Sequence, residues 1–429
     1  MSWHPSRPSD WLSLAEALDI ILQTVRSTDT EAVVLDDALG RTVAEDILSP
    51  IEHPLWDNSA MDGYAVRAQD VAAASTDRPV SLRIIEKVPA GGFPMARVEE
   101  GTAIRIMTGA PLPAGADSVI RVEHTTTVGD DVVHITNAAD AGRNVRPRGE
   151  DMHAGARVVG AGTQLRPAEI GMLATIGSAR VPVRRRPRVA ILSTGDELVE
   201  VTQFDEVRAG RKIVNSNSHA LAAAIRAAGG EPVVLGIALD ERNSLREKLA
   251  AGLSADMLVT SAGASVGEHD LVKDVLEELG MQTAFWRVRV RPGSPFSFGR
   301  IGEVPVFGLP GNPVSALVTC ELFVKPAIRR VLGRRALYSP TVRARVAHDI
   351  STKGTLTHFL RVRLARDNDG TWLASLTGPQ GSGMISSLVQ ADALLVVPEA
   401  VHELASGSVA DVIRLDAGDN TQMELGFTL

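Results

Sequence analysis

The stretch RRRPRVAILSTGDEL, Arg184 to Leu198, marks where the sequence changes its rhythm. Its apolar run VAILS is too short for a helix, and it stops abruptly at Thr194-Gly195-Asp196-Glu197. Downstream, such runs alternate with helical patterns of ten or more residues. SHALAAAIRAAGG precedes PVVLGIALD, NSLREKLAAGL precedes DMLVTSAG, and LVKDVLEELG precedes AFWRVRV and PVFGLPG. A strand–helix alternation of this kind predicts βαβ units, hence a doubly wound, mostly parallel sheet with helices on both faces. This α/β domain is expected over residues 185–335.

Outward from it the pattern differs on each side. Ser13 and Glu16 form a capping box ahead of Leu14, Leu18, Ile21, Leu22 and Val25, one face of a first helix. PVSLRIIEKV, TAIRIMTG, DSVIRVEHTTTV and DVVHITNA then read as short strands, with GDD as a hairpin turn. A β-rich domain is expected over 51–144, with residues 1–50 and 145–184 forming a mixed linking domain. Beyond Tyr338 the helices stop. TVRARVAHDI, THFLRVRLAR, TWLASLTG, ALLVVPEA and ADVIRL predict a β-barrel-like domain over 336–429.

Composition bounds the function. The 429 residues are 44% hydrophobic and 22% charged, with a formal net charge of −8. A mildly acidic chain argues against binding nucleic acid or an anionic membrane through bulk charge. The single cysteine, Cys320, lies in the apolar helical stretch VSALVTCELF and reads as a small buried hydrophobe rather than a nucleophile. No apolar run of the roughly 18 residues a membrane span needs is present, and MSWHPSRPSDW has no signal-peptide core. A soluble, cytoplasmic protein is the expectation.

Ligands of open α/β sheets sit at the carboxyl ends of the strands. Those ends here are Thr194–Glu197, Asp240, the loop TSAGASVGEHD (Thr260 to Asp270) and LPGNP. Gly263 and Gly267 would turn backbone amides inward while Ser261 and Ser265 add hydroxyls, a nest for a phosphate-like oxyanion. Asn312 suits a helix N-cap and Pro313 the first helical position, so the free donors of that helix would face the same rim. The carboxylates Glu197, Asp240 and Asp270 would repel a phosphate unless a divalent cation, magnesium above all, lies between. Arg287, Arg289 and Arg291 recur at period two, as on one face of a strand, and could hold a tetrahedral oxyanion. Taken singly, each feature has a plainer reading: a tight turn, a helix start, a solvated strand face. RRRPR reads as a solvated linker.

Three loops of the β-rich region carry polar groups without strand or helix pattern: DNSAMDGYAV around Asp62, RIMTGAPLP around Thr108 and RPRGEDMHAG around Asp151. Together with RPRVAILSTGDELV, SAGASVGEHD, RPGSPFSFG and GLPGNPVSA, and in this order, these segments resemble the molybdopterin molybdotransferase family (MoeA type), which includes the enzymatic part of gephyrin. The resemblance runs from the first helix to the final β domain. It implies a magnesium-dependent transferase acting on adenylylated molybdopterin and molybdate, the final step of molybdenum cofactor biosynthesis, with release of AMP. It also implies an elongated homodimer whose cleft lies between the α/β domain of one subunit and the β-rich domain of the other. A molybdopterin adenylyltransferase and the recipient molybdoenzymes would be its partners, with no role for nucleic acid or membrane.

Carried over by position, the functional residues are Asp62, Thr108, Asp151, Glu197, Asp240, Asp270, Pro310, Pro313, Arg361 and Ser382. Asp240 and Asp270 would be metal ligands, Ser261, Gly263, Ser265 and Gly267 phosphate donors, and Arg287 and Arg291 would meet molybdate. This sequence departs from the family at two places. Ala262 stands where the family has glycine, and if that position needs positive φ the change costs on the order of 1 kcal/mol. Ser294 stands where lysine is usual. Other readings are an altered-specificity paralogue that binds or hydrolyses a pterin or nucleotide phosphoanion, and a cofactor-carrying scaffold.

Overall fold

A computed structural model describes residues 11–262, 271–352, 355–367 and 369–415. The chain divides into two compact units, Glu45–Gly160 with Pro167–Ala179 forming one and the remainder the other.

The smaller unit is built on six strands: β1 Gly63–Val66, β2 Val80–Val88, β3 Thr102–Ile106, β4 Ser118–Arg121, β5 Thr125–Val128 and β6 Val132–Ile135. They lie in the order β4-β1-β3-β2-β6-β5. Alternation buries both faces. Tyr64, Leu82, Ile120 and Val133 fill one core, while Ala65, Val88, Ile104 and Val119 fill the other. A register shift between Ile84 and Glu86 moves β2 from one parity to the other, which is why Ile84 and Val88 face different cores. The stretch DSVIRVEHTTTV is two strands rather than one, broken by a turn at Val122–His124. The carboxylate of the buried Asp140 causes the break: it accepts from the Arg121 amide (3.1 Å) and guanidinium (3.0 Å), and lies 2.9 Å from His124 Nδ1. Burial raises the pKa of Asp140, but these donors outweigh it and hold the carboxyl below its ordinary value.

In the larger unit, helix α1 (Leu14–Thr24) carries the capping box expected from Ser13 and Glu16. The central sheet comprises β7 Arg188–Thr194, β8 Glu231–Ala238, β9 Met257–Ser261, β10 Gln282–Phe285, β11 Ser297–Ile301 and β12 Val304–Leu309. Its order is β8-β7-β9-β12-β11-β10; the first four strands are parallel, β11 runs against them and β10 runs with them again. Parity along β7 and β9 separates two cores. Val189, Ile191, Met257 and Val259 pack toward α2 (Ser216–Ala228), whereas Ala190, Leu192 and Leu258 pack toward α3 (Arg242–Gly252) and α4 (Leu271–Glu278). Helices therefore cover both faces, as the alternation of the sequence requires.

The helix read from PVSALVTCELFVKPAIRRVL begins as α5 (Pro313–Thr319), widens into a π turn at Cys320–Val324 and resumes at Lys325–Val331. Pro326 explains the widening, since it lacks an amide hydrogen and its ring would meet the carbonyl four residues back. Cys320 is buried within this segment, and burial pushes its thiol up to about 12, so it stays a protonated packing group. The linker RRRPR is anchored rather than solvated throughout: Arg185 makes a two-pronged bond to Asp256 at 2.8 and 2.7 Å.

Five strands then close into a ring: β13 Thr341–Val346, β14 Thr357–Arg366, β15 Trp372–Leu376, β16 Ala393–Val397 and β17 Val409–Arg414. The circuit runs β14-β15-β13-β17-β16 and back to β14. The short strand Val290–Arg291, from the α/β sheet's own connection, pairs in parallel with the start of β14. No described helix is long and apolar enough to cross a membrane.

Candidate active site

The carboxyl ends of β7, β9 and β12 open into a cleft of about 820 Å³. Its walls include Ser193 and Thr194 at the end of β7 with Glu197 beyond it, Ser261 at the end of β9 with Ala262 beyond it, and Pro310, Gly311, Asn312 and Pro313 after β12. Asn215 and Asn217, at the start of α2, add amide donors that the strand-end reading did not single out. Asn217 Nδ2 donates to Ser261 Oγ (2.8 Å) and to the Gly311 carbonyl (2.7 Å), tying two strand-end loops together. Asn215 Oδ1 caps α2 by accepting from the Ser218 amide at 3.3 Å. Its Nδ2 is buried without a partner among the described residues, a donor left for something in the cleft. The pair N-S-N immediately ahead of a helix was the available signal.

Gly195 has φ +142°, and a side chain there would strike the Glu197 carboxylate, which folds back over it at the mouth of the cleft. Ala262 holds φ +76°, a left-handed conformation normally left to glycine. The position that departs from the family pattern is thus one where the backbone does need positive φ. Gly263, Ser265, Gly267 and Asp270 lie outside the described residues.

A second cleft, about 780 Å³, adjoins the first and shares Ser294, Pro295, Pro310 and Asn312 with it. Arg291, Arg361 and Ser382 line this one. Arg361 is fully buried on β14. Its guanidinium donates to Ser387 Oγ (3.1 Å) and to the Gly381 carbonyl (3.0 Å), and among the described residues no carboxylate pairs with it. Burial lowers its pKa from the ordinary guanidinium value. Asn312 sits at the N-cap position of α5 with Pro313 following, as expected, but its side chain donates to Ser382 Oγ at 3.1 Å instead of capping. The Ser382 carbonyl also takes the Val314 amide (3.1 Å), so one first-turn donor of α5 is already engaged and does not face a ligand.

The three arginines expected to share one strand face do not. Residues 286–289 are not strand; Arg287 lines the first cleft, Arg291 the second, and Arg289 is bound to Glu399 at 3.0 Å. Ser294 Oγ donates to the Val290 carbonyl (2.6 Å), so the residue in the lysine's place closes its own turn. Asp240 is exposed after β8 and is not among the described residues lining either cleft. Its amide donates to Asp196 Oδ1 at 3.1 Å, which brings two carboxylates to neighbouring strand ends. Among the described residues no group of three or more His, Cys, Asp or Glu side chains could hold a metal.

In the smaller unit, Asp62 and Thr108 meet at the ends of β1 and β3. Asp62 Oδ1 accepts from the Thr108 amide (2.8 Å) and hydroxyl (2.7 Å), and these bonds hold the exposed carboxyl below its usual pKa. Gly63 must lack a side chain, because a Cβ there would collide with the Ile120 carbonyl of β4. Asp151 is exposed, with its amide donating to the His53 carbonyl at 3.0 Å.

Family models match three successive stretches of the chain. They are the MoeA N-terminal region (domain I and II) over residues 12–177, the probable molybdopterin binding domain over 190–330, and the MoeA C-terminal region (domain IV) over 343–415. A molybdopterin molybdenumtransferase of Nostoc sp. is 37% identical over 96% of this chain and 95% of its own. Molybdopterin molybdenumtransferase 2 of Mycobacterium tuberculosis is 36% identical over 93% and 98%. The crystal structure of the molybdopterin biosynthesis moeA protein of Pyrococcus horikoshii superposes with a TM-score of 0.82 at 31% identity, covering 95% of this chain and 100% of that one. With all three regions present in order and near full-length coverage in both directions, the chain belongs to the molybdopterin molybdenumtransferase (MoeA) family.

Proposed function

We propose that this chain is a transferase of molybdenum cofactor biosynthesis that places molybdenum, supplied as molybdate, on adenylylated molybdopterin and releases AMP. The observation that carries the reading is Arg361, a buried guanidinium with no acidic partner among the described residues, lining a cleft that adjoins one walled mostly by neutral groups. A charge desolvated in this way costs stability unless an anion answers it. A small dianion beside Arg361, Arg291 and Ser382 would do so, while the larger cleft suits the phosphates and rings of the nucleotide substrate.

In the reaction the dithiol gives up its protons as molybdate loses oxygen as water, without electron transfer. One water adds across the phosphoanhydride, yielding AMP and the pterin's own phosphate. Ser261 and Asn215 would hold phosphate oxygens, with Asn217 positioning the Ser261 hydroxyl, and Glu197 would accept a proton from the attacking water. Pro310 stiffens the wall shared by the clefts and Pro313 the wall of the first. Asp196 and Asp240 offer hard oxygens suited to magnesium, which takes one or two carboxylates and completes its shell with phosphate and water. When bound, that ion supplies charge neutralisation at the phosphates. Asp270, the second metal ligand implied by the family, lies outside the described residues.

Purified protein given adenylylated molybdopterin, magnesium and molybdate should release AMP only when molybdate is present. Release without molybdate would make it a hydrolase; binding without turnover would make it a carrier. A homodimer whose second copy supplies Asp62, Thr108 and Asp151 is part of the proposal. Mixing the inactive variants Asp62→Ala and Arg361→Gln should restore activity in mixed dimers, and no recovery would place both residues in one subunit's site.

A further inference from the structure

Among its described lining residues the first cleft has one aromatic side chain, Trp11. It comes from the start of the chain and is fixed there by its neighbours. Leu12 bridges Val288 in parallel, the Arg289 amide donates to the Leu12 carbonyl at 2.8 Å, and the Arg289 guanidinium donates to the Trp11 carbonyl. Glu399 in turn holds that guanidinium, and α1 begins two residues later at its capping box. The Trp11 indole is only partly buried, and the Arg287 guanidinium carbon lies 4.8 Å from its ring centroid. Cation and ring thus form a preassembled plate on the wall of the cleft.

The remaining described lining is serine, threonine, asparagine, proline, glycine and aliphatic side chains with Glu197. Such groups can bind phosphate and ribose by hydrogen bonds, yet they give a flat heterocycle nothing to stack on. We infer that the Trp11–Arg287 plate stacks the fused heterocycle of the phosphorylated ligand, leaving the charge of Arg287 beside its phosphate. Trp11 is then a binding residue for the ring, and Arg287 serves the nucleotide cleft. This deepens the function proposed above and rests on it.

The test compares AMP with ribose 5-phosphate, which has the phosphate and sugar but no base, by calorimetry on the full-length protein. Neopterin phosphate tests the pterin ring in parallel. Stacking of one base is worth about 1–3 kcal/mol, so wild type should bind at least one ring-bearing ligand about five-fold or more tighter than ribose 5-phosphate. Trp11→Leu should abolish that preference while leaving ribose 5-phosphate affinity unchanged, and Trp11→Phe should keep most of it. Quenching of indole emission by the preferred ligand should be present in wild type and lost in Trp11→Phe; this holds as a check even if the leucine variant folds poorly. An unaltered preference in Trp11→Leu, or quenching that persists in Trp11→Phe, overturns the plate while molybdate-dependent turnover still stands. If wild type neither turns over nor binds AMP or neopterin phosphate, the function falls and the plate with it.

Discussion

The two adjoining clefts meet negative charge in opposite ways. The first is walled by neutral donors, Ser193, Thr194, Asn215, Asn217 and Ser261, and its cation Arg287 is half-exposed and rests on an indole. The second relies on Arg361, fully buried and unanswered by any described carboxylate. Neutral donors pay little for desolvation and tolerate a ligand that comes and goes with its solvation shell. A buried cation is costly at rest and recovers that cost only when a compact anion arrives. One cleft is therefore built for extent, the other for charge.

The contrast can be broken most directly at Arg361. Arg361→Gln should reduce turnover about 100-fold or more, the roughly 3 kcal/mol or more of a desolvated charged contact. The same variant should melt no lower than wild type, since it removes a buried charge that no described carboxylate pairs. A large drop in melting temperature would make Arg361 a structural residue and remove the difference between the clefts. Asn217→Ala tests the other side. Losing two hydrogen bonds that join the strand-end loops should cost about 1–2 kcal/mol of stability and raise the KM for the nucleotide substrate several-fold, with molybdate dependence unchanged. A shift in molybdate dependence instead would mean that the clefts act as one.

Ala262→Gly sharpens the comparison at its border. Relief of the left-handed alanine should stabilise the fold by up to about 1 kcal/mol in urea titrations, after allowing for the freer unfolded glycine. No gain would show that this backbone relaxes in solution. The smallest effect is expected in the other unit. Thr108→Ala removes the hydroxyl donor to Asp62 and keeps the backbone amide, so the carboxyl pKa should rise only part of the way toward its ordinary value in an NMR titration. Because that pKa is depressed in the folded protein, the small stability it contributes is present at neutral pH and is lost as pH falls through the folded-state pKa. An unmoved titration would detach the Thr108 hydroxyl from Asp62.

The α/β sheet was legible because periodicity is local: apolar runs of strand length between amphipathic helices dictate layers, and strand ends dictate where a cleft opens. The barrel was legible for the same reason, its strands ending at turn residues. Ala262 was legible as a risk, since glycine's freedom is a property of one position. Trp11 was not, because nothing in its neighbourhood of sequence announces a contact with Arg287. The arginine triplet failed for a related reason. A period-two pattern predicts a common face only where strand geometry holds, and residues 286–289 lack it, while Glu399 claims Arg289 from far along the chain. Asn217 acts through long-range bonds to Ser261 and Gly311 and left only a composition cue.

Strand β14 carries a consequence of its own. Phe359 joins the packing of the α/β layer, while Leu360 and Val362 join that of the barrel, so successive residues of this ribbon look into different compartments. Arg361 inherits the side of Phe359 by parity alone. Deleting or inserting a single residue between Thr357 and Leu360 would exchange the two sides, swinging a guanidinium into oil and a leucine toward the anion. The length of this segment is thus as much a part of the chemistry as the identity of any group on it.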